Sequence, residues 1–174
     1  MRSVCLPRHP AVAYLYLVRP MITLERFRDA HLPHRTSILE EFIANRGKTT
    51  RAGFNCYIDS TLITCRALCG LLGFETNSKS VSDMGDPTQP AVNFKKFALI
   101  RKNLDSRIAI NNVKDEKELH QIQHWEQIIV SLNAANKCVA HFDEYSDLEH
   151  KADHDTVEIA AKAVLREIKL RVKV

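Results

Sequence analysis

Residues Phe54 to Leu72 read FNCYIDSTLITCRALCGLL. Phe54, Tyr57, Ile58, Thr61, Leu62, Cys65, Leu68, Cys69 and Leu72 recur at spacings of three and four. That is the period of an α-helix, not the two-residue period of a strand. The stripe is broad, so this helix is expected to be largely buried and to end at Gly73.

A buried helix needs amphipathic neighbours, and the flanking sequence supplies them. Upstream, the pattern predicts a helix from about Thr23 to Arg46, with Leu24, Phe27, His31, Ile38 and Phe42 on one face. Thr23 is a suitable N-cap and Gly47 a suitable C-cap. Pro33 lacks an N–H and its ring crowds the preceding turn, which predicts a kink or break near Leu32. Residues 48–53 read as a polar loop.

Downstream, residues 74–92 are rich in Ser, Asp, Asn, Pro and Gly and read as a long loop. Residues 93–105 read as a short basic amphipathic helix. Phe94, Phe97, Ala98 and Leu104 face inward, and Lys95, Lys96, Arg101 and Lys102 face outward, with Arg107 just beyond. Ile108-Ala109-Ile110 is too short to assign. A third long helix is expected from Lys114 or Asp115 to about Phe142, carried by Ile122, Trp125, Ile129, Leu132, Ala135, Val139 and Phe142. A last helix is expected from about Asp155 to the end, with Val157, Ala160, Ala161, Val164, Leu165, Ile168 and Val172 inward. Its early acids and late bases suit the helix dipole. No segment alternates over strand length and no repeat is visible. The expected fold class is therefore all-α: an antiparallel four- to five-helix bundle with a long loop between the second and third long helices.

The chain has 174 residues, is 45% hydrophobic and 26% charged, and carries a net charge of +4. That balance fills one domain core and excludes a wholly disordered or low-complexity chain. Arg2, Arg8 and Arg19 supply three of the four net charges, with no acid before Met21. Residues 1–21 are read as a tail or a mis-called start, and 22–174 as one domain. The apolar run Ala11–Val18 is shorter than the roughly 20 residues a membrane span takes, so no membrane association is expected. The five cysteines include no CxxC pair. They are expected to be reduced thiols in a cytoplasmic protein, with Cys65 and Cys69 acting as small core hydrophobes.

The stretch richest in chemistry is Asn133-Ala134-Ala135-Asn136-Lys137-Cys138-Val139-Ala140-His141-Phe142. Each step of four advances only about 40° round a helix, so Asn133, Lys137 and His141 line one stripe. Imidazole transfers protons near neutral pH and ammonium holds phosphate as a point charge. Such a stripe suits a phosphodiester.

A helical bundle with this stretch near the end of its third long helix resembles the HEPN family, the nucleotide-binding domains of higher eukaryotes and prokaryotes. Many members are metal-independent endoribonucleases of toxin–antitoxin and phage-defence systems, and they dimerise so that two Arg-x4–6-His motifs share one site. The resemblance implies RNA or a nucleotide as ligand, a homodimer, a defence or mobile-element setting and no cofactor. It makes His141 the general acid or base, Lys137 the phosphate-charge stabiliser, and Asn136 and Asn133 the groups that orient the substrate. Asn136 stands where the motif has arginine. An amide lacks the guanidinium charge that would stabilise the transition state, so the resemblance is stronger for the fold than for nuclease chemistry. The basic helix, through Lys95, Lys96, Arg101 and Lys102, is the expected nucleic-acid contact.

Two other classes compete. The bundle can be a non-catalytic protein-interaction module with an exposed apolar patch. It can also be a metal-binding bundle using the i, i+4 pairs His120/His124 and His150/His154, or His31 and His34 beside Pro33. His120 and His124 fall on the solvent side of the predicted helix, and no Glu-x-x-His repeat or His-Glu-x-x-His motif is present. No metal is therefore expected.

Overall fold

The computed structural model describes residues 21–45, 48, 51–76, 92–94, 104–135 and 153–174. The described chain is mostly helical with little strand, as expected for the all-α class. In chain order it contains α1 (Leu24–Arg26), a π-helical segment (Phe27–His31), α2 (Leu32–Asn45), α3 (Arg51–Leu72), β1 (Glu75–Thr76), β2 (Val92–Asn93), β3 (Ala109–Ile110), α4 (Glu116–His120), α5 (Trp125–Ala134), α6 (His154–Arg171) and β4 (Val172–Lys173). No helix among the described residues is long and apolar enough to cross a membrane.

Helix α6 packs on α2, α3 and α5. Asp153 caps its start by accepting from Thr156 N at 2.7 Å. Val157, Ala160, Ala161, Val164, Leu165, Ile168 and Val172 are all buried. The small alanines let the neighbouring helices approach closely, and the branched residues fill the space between them. From α3 the core takes Leu62, Cys65, Leu68, Cys69 and Leu72, and from α5 it takes Ile128, Ile129 and Leu132. Truncating one of these large aliphatic side chains to alanine costs about 2–5 kcal/mol, because the cavity left behind only partly collapses. Phe54 lies outside the described side chains, and α3 starts at Arg51, inside the expected 48–53 loop.

The first helix begins where expected. Thr23 Oγ1 accepts from Arg26 N at 3.2 Å. Pro33 does not break it. The chain opens into the π segment, in which Leu32 N donates to Phe27 O, and then resumes as α2. The wide turn acts as one extra residue. In a regular α-helix Phe27 and Ile38 are about 20° apart, whereas Phe27 and Leu39 are about 120° apart. The extra residue moves Leu39 into line with Phe27. Accordingly Leu39 and Phe42 are buried with Phe27, Ile38 is half-buried and His31 is exposed. The expected inward His31 is thus corrected by the π turn. Gly47 lies outside the described residues.

The third long helix is not continuous. Asp115 caps α4, accepting from Glu118 N at 2.9 Å, and Glu118 accepts from Lys114 N at 3.1 Å. The chain turns through Gln121–His124, His124 takes a left-handed φ of 65°, and α5 starts at Trp125. Leu119 before the break and Ile122 within it both enter the core. Residues expected to continue this helix beyond Ala135 lie outside the description.

Two short antiparallel ladders finish the fold. Glu75 and Thr76 pair with Asn93 and Val92, which ties together the ends of the expected long loop. Residue 93 is therefore strand where a helix start was expected, and Leu104 sits in a parallel bridge with Ile22. Residues 95–103 of that expected helix lie outside the description. Ala109 and Ile110 pair with Lys173 and Val172, so the last helix stops at Arg171.

Candidate functional site

Of the expected site residues, the described structure includes Asn133. It sits in the last turn of α5 and is half-buried, while Leu132, Ala134 and Ala135 around it are buried. The helix thus turns an amide outward between apolar neighbours, which is where a polar stripe would begin. Asn136, Lys137 and His141 lie outside the described residues, as do Lys95, Lys96, Arg101 and Lys102.

Arg107 does not belong to a free basic face. It lies on the turn after Asp105, and its guanidinium Nη2 is 2.8 Å from Asp105 and 3.2 Å from Glu25. Asp105 is 8% exposed. Its Oδ1 also accepts from Arg107 N at 2.9 Å, and its Oδ2 accepts from Leu24 N at 3.3 Å. The Arg107 side-chain hydrogen bonds, followed by the Arg107 backbone N–H, hold the Asp105 carboxyl well below the usual carboxylate range. This cluster escaped the sequence reading. Asp-Ser-Arg at 105–107 is an Asx-turn pattern and was its available signal.

A cavity of about 300 Å³ beside the cluster is lined by Leu104, Asp105, Ser106, Ile108 and Ile110. Its carboxylate is already committed to donors, which leaves the cavity mainly apolar in character. A second charged group closes the far end of α6. Glu167 is buried and accepts from Arg171 Nε at 2.8 Å, while Arg166 Nη2 approaches it at 3.3 Å. Arg166 also donates to Gln123. Every charged group in the two clusters has a partner, although the first carries one excess negative charge and the second one excess positive charge.

No group of three or more metal-ligating side chains converges among the described residues. His31, His34, His120, His124 and His154 are exposed, and His150 lies outside the description. The break at Gln121–His124 also removes the regular helical spacing on which a His120/His124 grip depended. His120 instead stacks on Trp125, with ring centroids 4.1 Å apart. Cys65 and Cys69 are free thiols buried in the core, and burial pushes the Cys65 thiol up to about 12 and Cys69 well above its ordinary value. They are unsuited to nucleophilic work at neutral pH.

Comparison with family models, with curated proteins and with solved structures finds no match.

Proposed function

We propose that this protein is a HEPN-like antiparallel helical bundle that binds RNA or a nucleotide through the stripe of Asn133, Lys137 and His141. One observation supports the reading above the others. In a mostly helical chain, Asn133 is the half-exposed polar residue at the end of an otherwise buried turn of α5. The stripe read from the sequence starts there. On this reading Lys137 holds phosphate charge, His141 and Asn136 complete the contact, and two copies pair to form the cleft. Lys95, Lys96, Arg101 and Lys102 extend the contact to the phosphate backbone. Asn136 supplies no guanidinium, so the protein binds its ligand rather than cutting it efficiently.

The test is binding and cleavage of a structured RNA by the purified protein in the presence of EDTA, with Lys137→Ala and His141→Ala alongside. The reading expects salt-sensitive binding that Lys137→Ala weakens. Cleavage that survives EDTA and vanishes in His141→Ala would replace a binding protein with a metal-independent endoribonuclease. Absence of binding in every lane sinks the reading.

A second reading, a protein-interaction module, draws on four large hydrophobic side chains left in solvent among the described residues: Met21, Ile63, Leu170 and Val174.

A further inference from the structure

We infer that residues 22–31 form a latch that opens separately from the helical core, with Asp105 as its catch and the Phe27–Pro33 turn as its hinge. The long-range hydrogen bonds described for this segment converge on one turn. Asp105 N donates to Ile22 O at 3.0 Å, Leu24 N donates to Asp105 Oδ2, and Arg107 reaches Glu25. Among the side chains of 22–31, Phe27 alone is fully buried, and Ile22 and Leu24 are half-buried. Arg28, Asp29, Ala30 and His31 are exposed. A segment with one fully buried apolar anchor, two half-buried ones and one polar catch is held less firmly than α3 or α6 when the catch is lost.

The hinge is built so that α2 survives the opening. Pro33 has no N–H, so it loses no hydrogen bond when the turn before it leaves. Proline is tolerated in the first turn of a helix, and α2 restarts there as an independent element. Thr36 Oγ1 donates to Pro33 O at 3.2 Å and Ser37 Oγ to His34 O at 3.0 Å, so the new first turn carries its own local bonds. Leu39 and Phe42 then fix α2 to the core. Opening uncovers the seat of Phe27, and it frees Leu104 and Asp105, which also line the 300 Å³ cavity. The latch thus holds two of the residues that line that cavity.

Amide hydrogen exchange of the whole chain, read peptide by peptide, tests this. In the parent, residues 22–31 are expected to exchange before the middle of α3 and α6. Asp105→Asn is expected to speed exchange over 22–31 by about tenfold or more, with α3 and α6 still protected well beyond it. Phe27→Ala removes the buried anchor and is expected to give the same ordering. The latch is overturned if the parent protects 22–31 as long as α3 and α6. It is equally overturned if in both variants residues 22–31 exchange at one common rate with α3 and α6, or if neither variant changes 22–31.

Discussion

Asn112 fills the space that a side chain on Gly73 would need. Gly73 has a φ of +100°, and a Cβ placed on it would lie 2.9 Å from Asn112 Nδ2 and 3.0 Å from Asn112 Cβ. Asn112 is that close because Nδ2 donates to Leu71 O at 2.9 Å, while Val113 N donates to Leu72 O at 2.8 Å. The end of α3 is thereby joined to the strand-like stretch before α4. Gly73→Ala meets both a forbidden backbone region and an occupied site, and is expected to destabilise the fold by about 2 kcal/mol or more. Urea unfolding followed by circular dichroism measures it. A loss below that of a typical exposed Gly→Ala change would contradict the geometry.

Among the described residues, three buried hydroxyls have no hydrogen-bond partner: Thr61 and Thr64 on α3 and Ser131 on α5. Each is desolvated without compensation. Thr61→Val and Thr64→Val keep the side-chain shape and remove the stranded hydroxyl. Each is expected to raise stability by roughly 1 kcal/mol. Destabilisation by a similar amount would show that the hydroxyls are satisfied in solution, by water or by a helix carbonyl.

Asp105 makes the fold acid-sensitive with a defined sign. Its folded-state pKa lies below the ordinary value, so the unfolded chain binds the proton first as pH falls. The stability it contributes is fully present above the unfolded-state pKa of about 4 and is lost as pH drops toward the folded-state value. Asp105→Asn is expected to flatten the acid limb of the stability profile below about pH 4 while shifting the neutral plateau down. An unchanged acid limb would mean that other carboxylates dominate acid unfolding.

The thiols of α3 divide by position. Cys56 is exposed, whereas Cys65 and Cys69 are buried with their thiols pushed up. Brief alkylation of the native protein, mapped by peptide mass spectrometry, is expected to label Cys56 and spare Cys65 and Cys69 until denaturant is added. Equal labelling of all three in native buffer would show that α3 is not packed as described.

The long helices were readable because a buried face imposes its period on many residues at once. The inner faces of α3 and α6 follow the sequence pattern for most of the described side chains, with Tyr57 and Ile58 only half-buried and Thr64, Ala163 and Glu167 buried in addition. Local backbone events were less readable. The turn at Gln121–His124 has no glycine or proline to announce it, and a histidine carries the left-handed residue. The two-residue ladders are too short to show any alternation. Asp105 and Arg107 were separable from the basic run only through the Asx-turn pattern, because charge alone does not say who is paired with whom. The candidate stripe was legible as spacing. Spacing fixes which side chains share a face, and it leaves open what stands opposite them.

The π turn ahead of Pro33 has a consequence for how this stretch tolerates change. Arg28, Asp29, Ala30 and His31 are all exposed, so their identities matter little to packing. Their number matters. Deleting any one of them would let the segment become a regular α-helix with Phe27 still in line with Leu39, whereas inserting one more would swing Phe27 through about 100°, out of the core. Between Phe27 and Leu32 the protein counts residues rather than reading them. A single codon lost there is absorbed by the turn, and a single codon gained is not.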